Sequence, residues 1–462
     1  MSRLLGEVLP PPYPSPALRW RGLPPLQHRT LHLEEGEGGR AKRRPGGGNA
    51  FAGLLAAALL VTAPADADEL DFGIGQAVFE RLWVAAPTAT QAADGLGPLY
   101  NARSCAACHP QAGRGHPPAG RDPQDFGVGF ALRLNDDPVY GRQIQALGTP
   151  GQVPEGRPTV TWRDEKVPFP DGSVTVLRRP TWGAADLGYG ALAGAAALSP
   201  RVAPPVRGLG LLERVPEDAI LARDDPDDRD GDGISGRANR TATGALGRFG
   251  WKAANPTLSY QDAEAFSLDI GMSTPHFPAA WADCTAAQDA CRGAPHGDSP
   301  QFEGLEIPST MLALVDGYLR DLPPAGGLEA PKAKGADLFD AAGCAACHRP
   351  SFTTAGDAAA PHLSKRTIFP YTDLLVHDMG DALADGVAAG LASGREWRTA
   401  PLWGMNRLAG EDGRLALLHD GRARSVAEAI LWHGGEAEGA RRAFMALPRA
   451  ERQRLIRFVL SL

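Results

Sequence analysis

Two copies of one pentamer carry the most specific chemistry in this chain. Cys105-Ala106-Ala107-Cys108-His109 is the first and Cys344-Ala345-Ala346-Cys347-His348 the second. Each reads C-x-x-C-H, the attachment signal of a c-type haem. Two thiols three residues apart can each add across one vinyl group of a haem. The adjoining histidine then reaches the iron as the proximal ligand. A redox dithiol needs no following histidine and normally lies near a βαβ pattern. A zinc site built from both C-x-x-C pairs would have to join pairs far apart in sequence, each with its own histidine. The pattern therefore points to two covalently bound haems, held by Cys105, Cys108, Cys344 and Cys347, with His109 and His348 on the irons.

The elements around the motifs repeat as well. Gly75-Gln-Ala-Val-Phe79 opens an amphipathic helix before the first motif, and Gly335-Ala-Asp-Leu-Phe339 opens one before the second. Ile307 to Asp321 reads as a helix closing the first half. Leu322-Pro-Pro-Ala-Gly-Gly-Leu328 reads as a linker. Pro448 to Leu462 reads as a last helix, with Leu455, Ile456, Val459 and Leu462 on one face. Ser425-Val-Ala-Glu428 is a capping box that starts a helix over Val426 to His433. Thr159–Trp162 and Val174–Leu177 alternate around Pro170-Asp-Gly172, the pattern of a β-hairpin. The expectation is a mainly α fold: two cytochrome c-like haem domains, 68–325 and 329–462, with loop-rich insertions and a small hairpin.

One loop adds a metal signature. Asp228, Asp230 and Asp232 alternate and Gly233 follows, as in the first half of an EF-hand loop, where such carboxylates converge on Ca²⁺. Position 12 of that pattern is Asn239 rather than Glu, so the bidentate ligand is missing.

The 462 residues carry a formal charge of -7, with 43% hydrophobic content, 56 Gly and 41 Pro. That suffices for two or three packed, loop-rich domains and shows no nucleic-acid footprint. Arg40, Lys42, Arg43 and Arg44 precede an apolar run from Ala50 to Ala63 and an A-x-A site at Ala65-Asp66-Ala67. This is the layout of an export signal over about 40–67, and its apolar run is too short for a stable membrane span. Residues 1–39 are then surplus, an over-extended start, and the mature chain begins near Asp68. From there 39 basic side chains face 49 acidic ones, a balance of -10. An exported chain meets an oxidising compartment, so Cys284 and Cys291, the two cysteines outside the motifs, are expected to form a local disulfide. An acidic redox protein suits docking on a small electron-donor protein, a cytochrome or cupredoxin, through complementary potentials.

With both motifs and the ending in view, the sequence resembles the di-haem oxidoreductases of the bacterial periplasm. These are labelled peroxidases or thiol oxidoreductases and are related to the di-haem cytochrome c peroxidases. The resemblance rests on Leu96-Gly-Pro-Leu-Tyr-Asn-Ala-Arg-Ser-Cys105, Val206–Glu213, Asp230–Gly236 and Gly247-Arg-Phe-Gly-Trp-Lys252. Later come Leu375-Val-His-Asp-Met-Gly380, Glu396–Gly404 and Leu418-His-Asp-Gly-Arg-Ala423. It implies one haem that relays electrons and one that meets peroxide. A relay haem takes a second axial ligand, and Met379 is the first choice for the second haem, with Met405 next. Where the peroxidases carry a Pro-Thr-Leu-Arg-Asn-like stretch after the ligand Met, this chain has Trp397 and Arg398, so that ligand does not transfer by position. His419-Asp420-Gly421 resembles the peroxidases' His-Asp-Gly turn and makes His419 the candidate catalytic base. His116, His276, His433 and Glu436 are further neighbours to weigh, and Trp251 or Trp182 would relay electrons. Two alternatives stand beside a peroxidase: an electron-transfer cytochrome without a substrate, and a redox protein serving iron uptake. No cysteine pair is left over for thiol chemistry.

Overall fold

A computed structural model describes residues 65–90, 93–194, 197–409 and 415–462. The export signal expected over 40–67 and the over-extended start expected before it fall almost wholly outside these residues. Among the described residues no helix is long and apolar enough to cross a membrane.

The expected mainly α architecture is not what the chain adopts. Among the described residues, 28% are helical and 18% extended, and the strands form six separate sheets. The composition explains the correction. So many Gly and Pro residues interrupt most helices after one to three turns, and some of the extended stretches between them find ladder partners far along the chain. One three-stranded sheet has strand β1 (Phe130–Asp137) at its centre, paired with β2 (Gly141–Gln143) and with β5 (Ser199–Val202). The hairpin expected at 159–177 is present and long. Strands β3 (Arg157–Pro168) and β4 (Val174–Ala185) pair antiparallel over twelve residues each, from Arg157↔Ala185 to Pro168↔Val174. The last pair of interest is β6 (Val376–Asp378) with β7 (Glu396–Arg398).

The helical repeat read from the sequence survives locally as two matched crossings. Helix α1 (Ala65–Glu80) packs on α2 (Ser309–Asp321), and α3 (Ala336–Ala341) packs on α5 (Arg449–Leu460). A Cβ on Gly75 would lie 2.2 Å from the Leu314 carbonyl oxygen and 2.8 Å from the Tyr318 Cβ. One on Gly335 would lie 2.8 Å from the Phe458 Cβ and 2.9 Å from the Arg454 carbonyl oxygen. Both glycines therefore mark places where two backbones touch. One turn later the phenylalanines fill the crossing. Phe79 lies 5.4 Å from Tyr318, and Phe339 lies 5.6 Å from Phe458.

Helix α4 (Val426–Trp432) begins as expected, with Ser425 Oγ accepting from the Glu428 N–H at 3.2 Å. The Glu428 carboxylate accepts from the Arg424 N–H instead of closing the box on Ser425. The stretch read as a linker is tied on both sides. Gly208 N–H donates to the Leu322 carbonyl, and Phe369 N–H donates to that of Gly327. Cys284 and Cys291 are joined in a disulfide with their Cα atoms 6.3 Å apart.

Candidate functional site

Both pentamers open on a single cavity of about 2150 Å³, more than twice the ~1,000 Å³ upper range of ordinary small-molecule pockets. Cys105, Cys108 and His109 form one part of its wall, and Cys344, Cys347 and His348 another. The two histidines are held alike. His109 Nδ1 lies 2.8 Å from the Pro204 carbonyl oxygen, and His348 Nδ1 lies 3.0 Å from that of Tyr371. A backbone acceptor on Nδ1 fixes the ring and leaves Nε2 for a metal, the usual outer support of a histidine ligand. Burial pushes both imidazoles down, His348 to about 4, so both are neutral and able to ligate at neutral pH. A phenylalanine sits behind each ring, Phe79 at 6.4 Å and Phe339 at 6.3 Å.

The wall also fits groups that bring their own negative charge. Arg114 donates to the carbonyls of Ala416 and Leu418, and Arg398 donates to that of Gly250 at 2.9 Å. No carboxylate pairs with either guanidinium among the described residues. Burial pushes both down to about 10. An enclosed cation without an anion is costly, and two haems carry four propionates. Thiols, oriented imidazoles, volume and unbalanced cations together fit two haems.

Near the first motif the wall carries carboxylates. Asp262 and Asp316 lie together, and burial plus Asp316 raise Asp262 well above the carboxylate range. Burial also raises Asp269, which accepts from Gln143 at 2.9 Å. Glu264 behaves oppositely. Burial works against its charge, but Arg133, Asn255 and Arg142 outweigh it and hold the carboxyl below its ordinary range. Both arginines stand 3.7 Å from Oε1, and Asn255 donates to Oε2 at 2.9 Å. Glu264 escaped sequence reading because its partners lie 131, 122 and 9 positions away.

The second motif has a different neighbourhood. His377 lies between two acids, with Nε2 2.9 Å from Asp373 and Nδ1 2.7 Å from Glu436. Burial opposes its charge, yet Asp373, Cys347 and Glu436 raise its pKa well above the ordinary value. Its Nδ1 is also 3.7 Å from Cys347 Sγ. Glu436 further accepts from Ser235 Oγ and from the Asp378 N–H. This knot joins the stretch His377-Asp-Met-Gly380 to His433-Gly-Gly-Glu436. The two backbones meet at glycines: a Cβ on Gly435, where φ is +54°, would lie 2.2 Å from the Asp378 carbonyl oxygen.

The remaining expected residues fall as follows. Met379 is half-buried on the cavity wall and packs into the main apolar cluster, as does the buried Met405. His419 is buried, with its ring parallel to Trp397 at 3.6 Å and 4°. Burial, with Arg422, Lys252 and Arg201, pushes it down to about 3. The ring is therefore neutral at neutral pH and lies stacked on Trp397. Trp251 lines the cavity, and Trp182, on the hairpin, stacks on Phe130 of β1. Trp397, read in the sequence only as a departure from the peroxidase pattern, also lines it, with Lys252 Nζ 4.1 Å from its ring centre. His116 is exposed at the rim, and His276 is exposed and packs on Tyr260 away from the wall. Asp228, Asp230 and Asp232 bring their oxygens within 4.8 Å of one another. Asn239 faces elsewhere, donating to the carbonyls of Lys252 and Ala389, so the three carboxylates face any cation from one side only.

No curated protein matches this chain. Among solved structures it is similar to one of Kuenenia stuttgartiensis hydrazine synthase pressurised with 20 bar xenon. That likeness has 14% identity and a TM-score of 0.30, covering 90% of this chain and 100% of the other, too distant to carry an argument. The profile of the family described as "Di-haem oxidoreductase, putative peroxidase" matches residues 47–127 and 193–462, leaving out the hairpin and β1. With two matched haem-binding pentamers on one wall and a match over well more than half of its length, the chain belongs to the di-haem oxidoreductase family.

Proposed function

We propose that this protein is an exported di-haem c-type oxidoreductase that reduces peroxide with electrons from a small donor protein. The observation that carries the reading is the pair of C-x-x-C-H motifs on one cavity, each with its histidine Nδ1 tied to a backbone carbonyl. Cys105 and Cys108 would hold one haem and Cys344 and Cys347 the other, with His109 and His348 as proximal ligands. When bound, the haems supply one-electron iron chemistry. Reduction of H₂O₂ consumes two electrons and two protons and yields two waters.

The chain's own residues handle protons and position. Glu264, kept ionised by Arg133 and Arg142, takes a proton from the peroxide oxygen nearest it and returns it to the departing oxygen. Asn255 fixes the carboxylate while the proton moves. His419 stands as a packing partner of Trp397 in this scheme. The basic and apolar stretches before Asp68 support export, and the acidic balance supports a basic donor surface.

The test combines intact mass with electron paramagnetic resonance (EPR). The mature chain should gain two haem masses, and Cys344→Ala should lose covalent attachment at the second site only. A high-spin ferric signal that H₂O₂ consumes is the expected result. Two low-spin signals indifferent to peroxide in both the oxidised and half-reduced protein would mean a relay cytochrome without its own substrate.

A further inference from the structure

Six histidines line the cavity: His109, His116, His348, His377, His419 and His433. Two belong to the pentamers. His116 is exposed. Both nitrogens of His377 are taken by carboxylates, and His419 lies flat on Trp397. His433 remains. It follows the last residue of α4, where the final carbonyls of a helix lack intrahelical partners. Its Nδ1 takes up one of them, 2.7 Å from the Ala429 oxygen. This is the same device that orients His109 and His348, built here from a helix end. Nε2 of His433 has no hydrogen-bond partner among the described residues, and the half-buried ring lines the cavity.

His433 is also close to the second motif. It shares the cavity wall with Cys347 and His348. The segment that carries it is pinned three residues later, where Glu436 meets His377 and Ser235. Met379 stands in the same neighbourhood, its carbonyl oxygen 3.2 Å from where a Gly434 Cβ would be. The two side chains differ in need. A thioether packed among apolar groups requires no polar partner, whereas an oriented imidazole with a free Nε2 does.

From this arrangement we infer that His433 Nε2 is the sixth ligand of the second haem, opposite His348, so that this iron is held by two imidazoles and closed to peroxide. The inference rests on the di-haem reading above and assigns the relay role to the second haem. Glu436 is a positioning residue in it, acting through the segment it pins.

The experiment is optical and EPR spectroscopy of the purified holoprotein with a potentiometric titration, on wild type, His433→Gly and Met379→Leu. The wild type should show a low-spin haem without a sulfur-to-iron charge-transfer band. His433→Gly should turn one haem of the two high-spin, and added imidazole should restore the low-spin signal. Met379→Leu should leave signals and potentials unchanged. A sulfur-to-iron band in the wild type that Met379→Leu abolishes would overturn the assignment, as would an unaltered spectrum in His433→Gly. Met379→Leu decides the matter even if His433→Gly does not fold. Fewer than two haem masses on the wild-type chain would instead defeat the di-haem reading, which separates the two failures.

Discussion

The two haem motifs share a scaffold and differ in what surrounds it. Each has a glycine-mediated helix crossing, a phenylalanine behind the histidine and a backbone carbonyl on Nδ1. Around the first, the wall offers carboxylates: Glu264 held ionised, Asp262 and Asp269 pushed toward the acid form. Around the second, it offers a charged His377 clamped between two acids and an oriented His433. The lesson is that repetition fixes where an iron can sit, while the walls decide what each iron can do. Groups able to move protons gather at one motif, and groups able to lock a ligand set gather at the other.

The sharpest way to break this contrast is Glu264→Gln. If protons are handled at the first motif, peroxide turnover should fall by about 10²–10⁴-fold, with both haem spectra unchanged. Turnover within a few-fold of wild type, measured by stopped-flow with reduced protein, would remove Glu264 from the scheme. Gly435→Ala probes the other side. A Cβ there meets the Asp378 oxygen at 2.2 Å with φ at +54°, so a loss of about 2–4 kcal/mol is expected from crowding and the left-handed backbone. The altered EPR signal should be that of the second haem alone.

The shared scaffold predicts symmetry instead. Gly75→Ala and Gly335→Ala each crowd one helix crossing and should each cost about 1–3 kcal/mol in denaturant unfolding. A large cost at one and none at the other would mean that the two crossings are not equivalent. The smallest effect concerns pH. Burial pushes Glu306 up to about 7 despite hydrogen bonds from Gly297 and Ser273. A raised carboxyl stabilises fully below its unfolded pKa, and that contribution is lost as pH rises through the folded value. Stability should therefore decline from about pH 4.5 to 7, and Glu306→Gln should flatten that slope by about 1–2 kcal/mol. His377 follows the same sign in a higher pH window. Its contribution is whole below the ordinary histidine pKa and erodes as pH rises from there through its raised folded value. An identical Tm–pH profile for Glu306→Gln and wild type would discount the buried acid.

Sequence alone made the local features legible. The pentamers, the two G-x-x-x-F openings, the hairpin, the Ser425 cap and the last helix depend on neighbours a few residues apart. It misled on fold class, because helical pieces were visible by their period while short strands with distant partners leave no periodic trace. It was silent on the rest of the site for the same reason. The carbonyls of Pro204 and Tyr371 lie 95 and 23 residues from the rings they hold. His377 and Glu436 are 59 apart. A carbonyl partner also has no side-chain identity to recognise.

The tip of the hairpin deserves a last step. Arg452, buried on α5, donates to Asp171 at 2.6 Å and to Ser173 at 2.9 Å, both at the turn. Arg424, just ahead of α4, donates to the Val176 carbonyl in β4. The segment that the family profile leaves out is thus riveted to the helix that ends the chain. Such ties make the insert and the terminal helix one cooperative unit of unfolding. Their amides should exchange with solvent at a common opening free energy, so the hairpin cannot be trimmed as a loose ornament without lowering the protection of α5.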